Sequence, residues 1–181
     1  MVSQSFSFSS PGTPSSAAPV GGPVLSIRRV RVAAPFDNQA FVYRTGNLSY
    51  ERDPYAGFLV PPDESLAEPL RNYLRASGLF RIVVEPGSVV QPSVVAEVSV
   101  GQLYGDFRDR SHPVAVLEIH FTFIHMEQGA PRKVLFEKSY AKRVPLSART
   151  ASALMTGWNT ALQEIVRDVI TDLKQTPALA K

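Results

Sequence analysis

Cysteine is absent from the 181 residues. That excludes a disulfide framework, a thiolate zinc site and a cysteine nucleophile. It leaves the compartment open, because a chain without thiols suits an oxidising space as well as a reducing one. Charge is sparse, at 19% of residues, and nearly balanced, with 19 Lys and Arg against 16 Asp and Glu for a net +3. So small an excess argues against a nucleic-acid partner, despite a sequence pI near 9.3. No apolar run approaches the ~20 residues that span a bilayer. Histidine is scarce, with 3 in the chain. Charge is missing altogether from the side chains of Met1 to Ile27.

What is present describes an ordinary globular chain: 44% hydrophobic residues and 15 prolines, somewhat rich in the latter. A chain of this length buries roughly 70% of its unfolded surface in one core. The organisation expected is a flexible Ser/Pro/Gly-rich segment over 1–23, a single domain over 24–174 and a tail over 175–181. Ser9 to Pro23 (SSPGTPSSAAPVGGP) has too little apolar area to offset its ordering entropy. It is no signal peptide, lacking a basic start and a continuous apolar core. Ser5 to Phe8 alternates polar and apolar, as a short strand does, and reads equally as a tail carrying two phenylalanines.

Leu25, Ile27, Val30 and Val32, interleaved with Arg28, Arg29 and Arg31, predict a strand closed by Pro35. Gln39 to Arg44 predicts another, with a turn at Gly46-Asn47. Tyr50 to Pro62, aromatic and proline-rich, reads as ordered but irregular. Ser65-Leu66-Ala67-Glu68 has the form of a capping box at the start of a helix. Leu66, Leu70, Tyr73 and Leu74 continue that helix to Gly78, where a left-handed residue is wanted. Pro69 is tolerable only in or just after the first turn. Three long alternating strands follow: Val94 to about Phe107, with a bulge expected at Gly101 or Gly105; Ala115 to Phe123; and Val134 to Ala141. Glu127-Gln128-Gly129 predicts the hairpin between the last two. The final helix has Ser147 as its expected cap and an apolar stripe through Leu154, Trp158, Leu162, Ile165, Val169 and Leu173. The fold class is therefore α+β, a mainly antiparallel or mixed sheet of about five or six strands with two amphipathic helices on one face.

Chemistry is harder to find. His120 and His125 lie an odd number of residues apart, so on an unbulged strand they cannot share a metal. Glu118 and His120 do share a face, and with a third ligand from elsewhere they could hold one. A solvated polar sheet face explains them as well. No G-x-S-x-G elbow and no phosphate-cradling glycine motif occurs. The residues give no catalytic, cofactor or metal set. Arg28, Arg29 and Arg31 sit beside an aromatic-rich sheet, but Phe121 and Phe123 continue a core face and are not exposed for base stacking. The last helix lacks the basic polar face of a membrane-surface helix. The most suggestive surface lies in the irregular segment, where Tyr50, Arg52, Tyr55, Phe58 and Leu59 are residue types enriched at interface hot spots. The prolines around them lower the entropy of presenting them. Aromatics plugging the end of the sheet would look the same.

The stretch Phe41 to Phe80, FVYRTGNLSYERDPYAGF followed by LVPPDESLAEPLRNYLRASGLF, resembles the ABC-type transport auxiliary lipoprotein family, which includes the paraquat-inducible C lipoprotein. The Tyr43-Arg44 pair, the aromatics through Tyr55 and Phe58, the Leu70/Leu74 helix and the terminal helix with Trp158, Asn159 and Leu162 carry the likeness, which extends over Val24 to Lys174. The resemblance implies a non-catalytic periplasmic lipoprotein accessory to envelope lipid transport. Its implied partners are a mammalian-cell-entry-type substrate-binding protein and ABC transporter components, with homo-oligomers also expected. Family members are anchored to the outer or inner membrane through an acylated cysteine at the mature N-terminus. Here that residue is expected upstream of residue 1. The residues themselves leave two alternatives: a small hydrolase or metal enzyme using the Glu118/His120 face, or a cytoplasmic binding module.

Overall fold

The computed structural model describes residues 3–12, 21–126, 129 and 131–179. Residues 13–20 of the Ser/Pro/Gly-rich segment, and Glu127 and Gln128 of the expected hairpin, lie outside them. The elements run β1 (Gln4–Phe6), β2 (Val24–Ile27), β3 (Arg31–Val32), β4 (Ala40–Arg44), β5 (Tyr50–Phe58), α1 (Pro62–Ala76), β6 (Ile82–Val84), β7 (Val94–Asp106), β8 (Val114–His125), β9 (Lys133–Pro145) and α2 (Ala151–Lys174). The fold is α+β, as the periodicities predict.

The sheet is mixed and has nine strands among the described residues, more than the five or six expected. The surplus comes from β1, β3 and β6, which are two or three residues long. A strand that short has no alternation to read. β7 is the axis. Along one side it pairs with all of β8, antiparallel, from Val94↔His125 to Asp106↔Val114. Along the other it takes β2, β3 and β4 in succession, all parallel, at Leu25↔Val94, Arg31↔Ser99 and Tyr43↔Gly105. The register shifts between Val100 and Gln102, so the bulge expected near Gly101 is present. β9 completes the antiparallel meander from β8.

The helices start elsewhere than expected. α1 begins three residues before Ser65, on Pro61, with no side-chain cap. The capping box does not form: Ser65 is buried, and its Oγ accepts the Phe8 N–H at 3.4 Å. Pro69 therefore sits in the helix interior, where its missing N–H leaves the Ser65 carbonyl without its ordinary partner four residues on. Gly78, at φ 69°, takes the left-handed place predicted for it. α2 is capped by Thr150, not Ser147, with Oγ1 accepting the Ala153 N–H at 3.2 Å. Its predicted stripe is buried throughout.

Both helices close over one core. Trp158 lies at its centre, fully buried, with Nε1–H donating to the Val116 carbonyl at 3.1 Å. Its indole meets Phe41 edge-on at 4.9 Å and stacks on Phe58 at 5.5 Å. α2 comes close to β8 at Gly157, where a Cβ would stand 2.8 Å from that of Ala115.

Candidate interaction surface

The segment expected to be irregular is a strand, β5. It pairs antiparallel with β4 on one side and parallel with β1 on the other. The alternation is hidden by a bulge. Val42↔Arg52 and Ala40↔Gly57 are both in register, so residues 53–56 of β5 stand opposite the single residue Phe41 of β4, three more than the pairing needs. Asp53 organises that insertion. Its Oδ1 accepts the N–H groups of Tyr55 (2.8 Å) and Ala56 (3.1 Å), and its Oδ2 accepts the Tyr43 hydroxyl at 2.6 Å. Burial, and then the Asp53 contact, push the Tyr43 phenol up from its ordinary range. Pro54 falls inside the bulge, where its missing N–H interrupts no ladder bond. Gly57 is obligatory because a Cβ there would collide with the Gln39 carbonyl oxygen, which accepts the Phe58 N–H at 2.7 Å.

The five residues singled out in the sequence are not brought to one place. Phe58 is only 4% exposed and packs against Phe8, Phe41 and Trp158. The core reading holds for it, because its side of β5 faces the helices. Tyr50 lies at the strand's start, edge-on to Tyr104 at 5.6 Å and near Phe36. Arg52 is exposed and reaches the Pro35 carbonyl at 3.4 Å. Among the four apolar or aromatic residues Tyr55 and Leu59 are the most open, at 50% and 64%. Both are fixed by their backbones: Tyr55 through Asp53, Leu59 by donating its N–H to the Phe6 carbonyl at 2.7 Å.

The Glu118/His120 face is a hydrogen-bonded sheet surface. Glu118 accepts from Gln102 Nε2 at 2.6 Å. His120 places Nδ1 2.8 Å from Ser139 Oγ and Nε2 3.2 Å from both Glu137 and Thr122. Among the described residues no group of three His, Cys, Asp or Glu side chains could hold a metal ion. Beside His120 a groove of about 1000 Å³ runs between β3 and the start of α1. Arg28 pairs with Glu97 at 2.7 Å and Arg29 with Asp63 at 2.9 Å, and Arg31 and Asp37 add one charge of each sign, so the groove has no excess of either sign.

One site escaped the sequence reading. Asp106, at the end of β7, is buried beneath Arg108 and Arg143, each 2.8 Å from Oδ2. Hydrogen bonds from Arg108 above all, then Arg143, hold its carboxyl well below the usual range against the effect of burial. The Asp106/Arg108 spacing across a strand end was a readable signal; the approach of Arg143 from β9 was not.

Comparison with known proteins adds the following. The model of the family described as ABC-type transport auxiliary lipoprotein component matches residues 6–170. No curated protein matches. Among solved structures, a Xanthomonas campestris protein from a family of unknown function superposes with a TM-score of 0.74 at 18% identity, covering 91% of each chain. An uncharacterised protein gives 0.67 at 15% identity, over 93% of this chain and 99% of the other. A hypothetical protein of Chlamydia trachomatis gives 0.55 at 10%, over 86% and 98%. At these identities the likeness is one of fold.

Proposed function

The chain belongs to the family of ABC-type transport auxiliary lipoprotein components, and from that premise we propose that it is a non-catalytic accessory of an envelope lipid-transport system, acting through protein–protein contacts. The family associates it with ABC transport and with the cell envelope. In the finer reading the protein stands in the periplasm, held to the outer or inner membrane by an N-terminal lipid. Its partners are a mammalian-cell-entry-type substrate-binding protein, the transporter's own components, and further copies of itself. The family match over residues 6–170 carries the reading. The end of β5 supports it: Tyr55 and Leu59 are largely apolar and exposed, Tyr55 held by Asp53 in the bulge and Leu59 by the Phe6 carbonyl. A surface preorganised in this way loses little entropy on binding.

Pull-down with a mammalian-cell-entry-type substrate-binding protein and with ABC transporter components tests the proposal. Tyr55→Ala combined with Leu59→Ser is expected to reduce capture at least tenfold with an unchanged melting temperature. Phe58→Ala, whose ring is core, is expected to lower the melting temperature. Failure of the intact protein to capture any of these components, or full capture by the double variant, overturns the reading.

A further inference from the structure

Three turns meet at the end of the sheet where β4, β7 and β9 finish: residues 45–49, 107–113 and 146–150. They are tied together. The Phe107 N–H donates to the Arg44 carbonyl at 2.9 Å, the Leu146 N–H to Pro113 at 2.9 Å, and Arg108 reaches the Asn47 amide oxygen at 3.5 Å. Five arginines gather here, Arg44, Arg108, Arg110, Arg143 and Arg149. The carboxylates near them are Asp106, Asp109 and Glu51. Asp106 is consumed by Arg108 and Arg143, and Asp109 by His112 at 2.8 Å. Among the described residues no ion pair engages Arg44, Arg110 or Arg149. Arg44 braces its own turn by donating to the Gly46 and Asn47 carbonyls, and Arg149 lies 5.0 Å over the Phe107 ring. From the middle of this basic end Leu48 projects, 94% exposed, between Thr45, Gly46, Asn47 and Ser49.

We propose that this end of the sheet docks on an anionic lipid surface, with Leu48 entering the headgroup layer and the uncompensated guanidiniums of Arg110 and Arg149 meeting lipid phosphates. The shape selects the occupant. Arg110 and Arg149 stand on separate turns and line neither of the two cavities described for this chain, an arrangement that suits a broad phosphate-bearing surface better than one free phosphate. A lone apolar tip among small polar residues lacks the flat apolar centre of a protein interface, whereas a fluid headgroup layer closes around it. Guanidinium suits phosphate oxygens by geometry and by weak hydration. The docking rests on the envelope reading for its biological setting alone, since the chemistry is that of this chain's own surface.

Co-sedimentation of the chain with vesicles tests it, using phosphatidylcholine alone and phosphatidylcholine mixed with phosphatidylglycerol. Binding is expected only to the mixed vesicles and is expected to fall as salt rises. Neutralising Arg110 or Arg149 (Arg110→Gln, Arg149→Gln) should weaken the partition coefficient about fivefold for each charge removed. Leu48→Ser should weaken it further, with no change in melting temperature. Arg31→Gln, an exposed arginine on β3, should leave it unchanged. Equal loss from Arg31→Gln, which would make the attraction one of net charge, overturns the proposal. So does binding to neutral vesicles alone, or indifference to both vesicles with retention on polyglutamate, which marks a protein-docking surface. None of these outcomes bears on transporter capture through β5.

Discussion

At Asp106 the physics can be carried to a number. The carboxylate is buried and takes charge-assisted hydrogen bonds from Arg108 and Arg143. A group whose carboxyl is held low in the folded state stabilises the fold fully above its unfolded pKa, near 3.9, and loses that contribution as pH falls towards the folded value. Asp106→Asn is therefore expected to cost about 1–3 kcal/mol at neutral pH. Urea melts recorded down the pH scale should show the difference between the two proteins shrinking progressively once the pH falls below about 4. A constant difference would contradict the assignment. Gly157 sets two opposing effects against one another. Alanine favours a helix over glycine by about 1 kcal/mol. Overpacking costs about 1–3 kcal/mol, and here the obstacle is the Ala115 Cβ on a strand, which cannot rotate away. Gly157→Ala is expected to lower the melting temperature, although propensity alone says the reverse.

The elements differ in how they are held. α2 depends on its Thr150 cap, so Thr150→Ala should cost about 1 kcal/mol by denaturant titration. Ser147→Ala, which removes no cap, should cost almost nothing. β1 has only three residues, yet its continuation is pinned. Phe8 stacks on Phe58 at 5.7 Å, and Ser9 donates its N–H and its hydroxyl to Asn159 Oδ1 at 2.8 and 2.9 Å. Phe8→Ala is expected to cost about 3 kcal/mol. A cost below half that would mean the segment merely rests on the surface. The sequence left residues 5–8 open between a short strand and a tail carrying two phenylalanines; the strand present is Gln4–Phe6. What holds the strand is a partner some fifty residues away, in Gln4↔Ala56.

At the scale of the sheet β7 is the organising strand, paired along both sides, while β9 pairs, among the described residues, with β8 alone. Hydrogen exchange should accordingly be slowest in the middle of β7 and β8. It should be faster at the edges, in β1 and along the outer side of β9. Fast exchange throughout β7 would mean that the parallel pairings with β2, β3 and β4 are not formed in solution.

The sequence determined the elements whose signal is local and long. β8 alternates over Ala115 to Phe123 and the α2 stripe recurs over five turns, so their buried faces were legible before any contact was known, whereas of the residues that alternate in β9 Tyr140 alone is buried. The α+β class and the family likeness followed from the same residues. Tertiary structure alone decided the rest. It made β5 a strand, because a bulge held by Asp53 breaks the period on which sequence reading depends. It moved the helix starts from Ser65 and Ser147 to Pro61 and Thr150, because a hydroxyl caps only where the chain direction lets it, and Ser65 was taken by Phe8. It sent Phe58 into the core and left Tyr55 and Leu59 outside, and it brought Arg143 to Asp106 across the sheet. Periodicity records which side of an element is apolar; it carries no record of which distant element will lie against that side.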